Sequence, residues 1–127
     1  LVPVAPQGEP NAGEVDVQRF ADSLCDDTVI ASVMLANNEI GVLQPIAALA
    51  EACHDRGVLL HCDATQGVGR IPLDLSALGA DLVSFSAHKI YGPKGVGALI
   101  VRDRSPRTRI VPQIVGGARN EADAAAR

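Results

Sequence analysis

Three largely apolar runs, rich in β-branched residues and lacking regular polar alternation, constrain this chain more than any other feature. They occupy residues 29–35, 58–62 and 81–85. A strand solvated on one face alternates polar with apolar side chains, whereas a strand covered on both faces of a parallel sheet does not. Between the first two runs, Ile46, Leu49, Ala50 and Cys53 mark one face of a helix that Pro45 opens and Gly57 ends. Strand, helix and strand in that order form a βαβ unit, whose right-handed crossover brings the C-terminal strand ends to one edge of the sheet. Ligands of open α/β sheets bind along that edge.

The neighbouring segments fit the same plan. Val17, Phe20, Ala21 and Leu24 have near-helical spacing within residues 15–24, and Asp16 can cap that helix. A short turn at residues 75–78 precedes the third run. The next apolar run, residues 98–101, begins too soon after Ser86 for a helical crossover, so the two strands should pair antiparallel as a wide hairpin. The expected class is therefore α/β, a mostly parallel sheet with one antiparallel strand, and residues 1–127 read as a single partial domain without a repeat or linker. Only residues 45–56 and 15–24 supply helices to cover the sheet. One face should be left partly bare, with an apolar patch larger than a soluble monomer tolerates.

Composition removes several function classes. A net charge of −4 and a pI near 5.2 argue against a phosphate-backbone footprint, and only 2% aromatic residues (Phe20, Phe85, Tyr91) leave no stacking platform for nucleic acid. No apolar run approaches the roughly 20 residues that a bilayer requires, so no membrane contact is expected. Cys25, Cys53 and Cys62 form no C-x-x-C pair, which fits a reducing, cytoplasmic compartment. With Leu1 first and Met34 the only methionine, the chain reads as an internal piece of a longer product.

Polar groups stand at the three expected strand ends: Asn38 after the first, Asp63 and Gln66 after the second, Ser86, His88 and Lys89 after the third. Each alone would be an ordinary loop residue, but the topology gathers them at one edge. A lysine flanked by serine and histidine, facing an aspartate from the adjacent strand, is what pyridoxal 5'-phosphate needs: an amine for a Schiff base, a carboxylate for the pyridinium nitrogen and donors for the phosphate. The glycine-rich residues 92–97 precede a strand and lack the P-loop spacing, so they read as a hairpin loop. His61 and Cys62 fall on opposite faces of their strand, which argues against a zinc site with Cys53 and His54. Arg102, Arg104, Arg107 and Arg109 read as a solvated surface.

Three strings carry a resemblance: A-N-N-E-I-G at residues 36–41, H-C-D-A-T-Q at 61–66, and S-F-S-A-H-K-I-Y-G-P-K-G-V-G-A-L at 84–99. Residues 29–117 resemble the pyridoxal-phosphate cysteine desulfurases of the class V aminotransferase family, in the branch that serves iron–sulfur assembly and nitrogen fixation. The resemblance implies the large domain of a fold-type I pyridoxal-phosphate transferase, and a reaction that takes sulfur from L-cysteine to give L-alanine and an enzyme persulfide. It implies that Lys89 carries the cofactor and moves protons at the substrate Cα. Asp63 would pair with the ring nitrogen, Gln66 with the phenolic oxygen, Ser86 and His88 with the phosphate, and Asn38 would lie beside the ring. It further implies a homodimer in the full-length form and a sulfur acceptor or iron–sulfur scaffold protein as partner. None of the three cysteines matches the family's persulfide-forming residue, and residues 118–126 depart from its pattern, so the isolated chain is expected to be inactive. A selenocysteine lyase or aminotransferase of the same family, or a non-catalytic remnant, are the alternative readings.

Overall fold

The computed structural model describes residues 4–103 and 108–111. Arg104, Arg107 and residues 112–127 lie outside the described residues. The elements run α1 (Val17–Ser23), β1 (Ile30–Met34), α2 (Ile46–Asp55), β2 (Leu59–Asp63), α3 (Leu75–Leu78), β3 (Leu82–Ser86) and β4 (Gly97–Val101), with a 3₁₀ turn at Ala87–Lys89. The sheet order is β1-β2-β3-β4, with β1, β2 and β3 parallel and β4 antiparallel to β3.

Local chemistry sets the boundaries. The Asp16 carboxylate accepts the Arg19 N–H at the start of α1, and Asp74 accepts from Ser76 and Ala77 at the start of α3, each satisfying donors that a first helical turn leaves open. Pro45 caps α2, and Gly57, at φ +69°, follows its end. Strands β2 and β3 each extend one residue beyond their sequence-based limits, so Asp63 and Ser86 are the last residues of strands rather than the first of loops. The short turn at residues 75–78 is one full helical turn. Four residues are too few to show a helical period.

Helix α2 lies on β2 and is flanked by α1 and α3. Their shared core contains Phe20, Val33, Ile46, Leu49, Cys53, Leu60, Cys62 and Val83, all buried. Along β2, Leu60 and Cys62 are buried while Leu59, His61 and Asp63 on the other face are not. Register carries that second face across the sheet as Ile30 and Ser32, His61 and Asp63, Ser84, then Leu99 and Val101. Ile30, Leu99 and Val101 are 49%, 50% and 39% exposed. The expected bare face is present among the described residues. All five residues of β4 are exposed.

Asp81, just before β3, is fully buried. Its carboxylate accepts the Leu60 N–H at 2.8 Å and His54 Nε2 at 3.1 Å, so one group joins β2, α2 and the start of β3. Truncating such a partner leaves buried donors unmatched, at about 1–3 kcal/mol each.

Burial pushes the thiols of Cys53 and Cys62 up to about 11, with smaller contributions from Asp81 and Asp63 respectively. A thiol whose folded pKa exceeds its unfolded value contributes stability below the unfolded pKa and loses it as pH rises. The folded chain should therefore lose stability between about pH 9 and about pH 11. Iodoacetamide at about pH 8 should label the exposed Cys25 and spare Cys53 and Cys62, as read by peptide mass. Equal labelling of all three would contradict this core.

Candidate cofactor site at the strand ends

The site is built where the parallel strands stop. After β1, Ala36 pairs with Leu43, and the Asn37 side chain accepts the N–H groups of Glu39 and Ile40, folding residues 37–41 into a tight turn. Gln44 ties this loop to the N-terminal segment, accepting Val15 N–H at 2.7 Å and donating to the Gly13 carbonyl at 3.0 Å. These ties wall a cleft of about 610 Å³ lined by Val4, Ser32, Met34, Asn37, Ile40 and Asp63, among others. The half-buried Asp63 accepts Thr65 N–H through Oδ1 at 3.0 Å, and its Oδ2 has no hydrogen bond among the described residues.

Lys89 ends the 3₁₀ turn that follows β3. It is half-buried, its amine has no hydrogen-bond or ion-pair partner among the described residues, and it lines a second cleft of about 530 Å³ with His88, Ile90, Tyr91, Gly69 and Arg70. Ser86 Oγ and His88 Nδ1 lie 2.6 Å apart. The loop is held tightly: Gly92 donates its N–H to the Ala87 carbonyl at 2.9 Å, and a Cβ there would stand 2.7 Å from Ala87 Cβ. Tyr91, at φ +64°, sits in the left-handed region, which costs a non-glycine residue about 1–2 kcal/mol.

The strand ends thus bring Asp63, Ser86, His88 and Lys89 to one edge, with the half-buried Gln66 in the turn after β2. Asn38 is exposed, and it is its neighbour Asn37 that lines the Asp63 cleft. His61, which the strand alternation argues against as a metal ligand, bridges two hydroxyls, Ser32 Oγ to Nδ1 at 2.7 Å and Ser84 Oγ to Nε2 at 2.9 Å. The signal available in the sequence was its position two residues before Asp63, which places both on one strand face. Among the described residues no group of three His, Cys, Asp or Glu could hold a metal ion.

A mostly parallel sheet with a lysine turn and an aspartate at adjacent strand ends defines a class, and residues 4–124 match the family Aminotransferase class-V. The chain belongs to that family. Among curated relatives, Cysteine desulfurase IscS of Klebsiella pneumoniae is 54% identical over 114 residues, which cover 90% of this chain and 27% of that protein. Cysteine desulfurase IscS of Escherichia coli O139:H28 is 56% identical over 105 residues, covering 83% and 26%. The chain therefore spans little more than a quarter of the length of these relatives. Among solved structures, a NifS-like protein aligns with a TM-score of 0.79 and 38% identity over 93% of this chain and 31% of its own. SspA in complex with cysteine aligns at 0.75 and 34%, covering 84% and 30%.

Proposed function

We propose that this chain is the central cofactor-binding portion of a pyridoxal-phosphate-dependent cysteine desulfurase. The observation that carries the reading is that adjacent parallel strands end in a half-buried Asp63 and run into a half-buried Lys89, and neither the second carboxylate oxygen of the one nor the amine of the other has a partner among the described residues. The donor set fits the cofactor: an amine, a carboxylate, and a hydroxyl and imidazole already 2.6 Å apart for an anion. Pyridoxal phosphate, when bound, supplies an electrophilic carbon and a ring that accepts electrons from a substrate Cα.

The remaining work falls to the chain. Lys89 would hold the cofactor through Nζ, and its amine would take and return a proton at the substrate Cα. Asp63 holds a proton on the ring nitrogen by a charge-assisted hydrogen bond. Gln66 donates to the phenolic oxygen, while Ser86 and His88 hold the phosphate and Asn38 borders the ring. The substrate is L-cysteine and the acceptor of its sulfur is a cysteine thiol outside this chain's three; the Cβ–S bond of the substrate breaks, an S–S bond forms on the acceptor, and the products are L-alanine and a persulfide. A homodimer, a protein sulfur acceptor for iron–sulfur cluster assembly and a cytoplasmic setting complete the proposal. Among the described residues no helix is long and apolar enough to cross a membrane.

The test is made on a polypeptide of the relatives' length that carries this segment. Loaded with pyridoxal phosphate and given L-cysteine and a thiol reductant, it should release alanine and sulfide in equal amounts, and residues 1–127 alone should release neither. Selenocysteine turnover without cysteine turnover would move the assignment elsewhere in the family.

A further inference from the structure

We propose that His61 is a positioning residue for Asp63, acting through Ser84 within a hydrogen-bonded line of Ser32, His61 and Ser84 across the open face of the sheet. This rests on the reading of Asp63 as the partner of the cofactor's ring nitrogen.

The register gives the line its direction. Ser32 is the cross-strand partner of His61, but Ser84 is the partner of Asp63. The imidazole therefore reaches forward, towards the C-terminal edge, to the residue opposite the carboxylate. Its two nitrogens lie 2.7 and 2.9 Å from the two hydroxyls, so each nitrogen holds one hydroxyl and the ring cannot turn without losing a bond. Ser32 and Asp63 line the same cleft, which places the line on the site side of the sheet.

The need for such a device follows from where Asp63 sits. It is the last paired residue of β2, and beyond it one further backbone bond, from Ala64 N–H to the Ser84 carbonyl at 2.8 Å, closes the ladder between β2 and β3. Among the described residues its side chain has a single hydrogen bond, from Thr65 N–H. The aim of the second oxygen depends on how β2 and β3 are spaced at that point, and His61 fixes the β3 side chain there. A residue kept only for strand stability would be an aliphatic one, since β-branched residues suit a parallel strand better than an imidazole does.

The full-length, cofactor-loaded protein decides the matter with His61→Phe, Ser84→Ala, Ser84→Thr and the His61→Phe/Ser84→Ala double variant. The readouts are the pH midpoint of the cofactor's visible absorption, kcat and KM for L-cysteine, and the melting temperature of the cofactor-free protein. We expect His61→Phe and Ser84→Ala each to shift the midpoint in the same direction and lower kcat by roughly tenfold with little change in KM, the size of one lost hydrogen bond. The double variant should add nothing further, and Ser84→Thr, which keeps the hydroxyl, should restore the parent midpoint. Should His61→Phe fail to fold, the contrast between Ser84→Ala and Ser84→Thr carries the decision. A parent that binds pyridoxal phosphate on Lys89 while both single variants keep its midpoint overturns this inference alone, as do additive effects. A parent that takes up no pyridoxal phosphate overturns the site reading and the inference with it.

Discussion

Borohydride reduction of the loaded full-length protein, followed by peptide mapping, should place the pyridoxyl group on Lys89, and Lys89→Ala should abolish it. The other lysine of the same loop, Lys94, is exposed and absent from the cleft that Lys89 lines with His88 and Arg70. The reacting amine should be the one that the cleft surrounds. Loss of a proton carrier at the reacting carbon alone costs roughly 10²- to 10⁴-fold in kcat, and loss of the covalent anchor adds to it. Turnover of Lys89→Ala should fall below detection. A pyridoxyl group mapped to Lys94 would show that the strand-end reading is wrong.

Asp63→Ala should separate attachment from turnover. The variant keeps the amine of Lys89 and should still be labelled by borohydride, because on the proposed reading the carboxylate acts at the ring nitrogen and not at the amine. What it would lose is a charge-assisted hydrogen bond to that nitrogen, about 1.5–3 kcal/mol. Alanine release should fall by about 10- to 100-fold at that energy. Alanine production equal to that of the parent would remove Asp63 from the mechanism.

The central architecture was legible because burial leaves a simple mark. Runs at residues 29–35, 58–62 and 81–85 lack regular alternation, and they became β1, β2 and β3 in parallel order. The ten-residue gap after Ser86 was enough to reverse β4. The same reasoning does not describe the surroundings of β4, whose apolar residues suggest burial yet are exposed. An apolar run reports what a strand is suited to lie against, and within these residues helices cover one face only. Of the site, the strand-end residues could be placed from topology. Which of two adjacent amides lines the Asp63 cleft could not, because the turn made by the Asn37 side chain decides it. The roles of His61 and Asp81 were hidden for a different reason. Each depends on partners more than 20 residues away in sequence, and no local pattern announces such a bond.

The strand order has a consequence for how the site assembles in time. Every hydrogen-bonded neighbour in the sheet is also the next strand in sequence. The connection between β3 and β4 is residues 87–96, whereas that between β1 and β2 is residues 35–58. Each doubling of loop length adds only about 0.6 kcal/mol of closure entropy, but hairpins also form in about 1–10 μs and need no helix to be docked first. The hairpin encloses Lys89. The lysine loop can thus take shape while the chain is still searching for the β1–β2 and β2–β3 pairings that bring Asp63 to its side. On the proposed reading, cofactor capture then waits on the slower parallel docking that supplies the carboxylate rather than on the loop that holds the lysine.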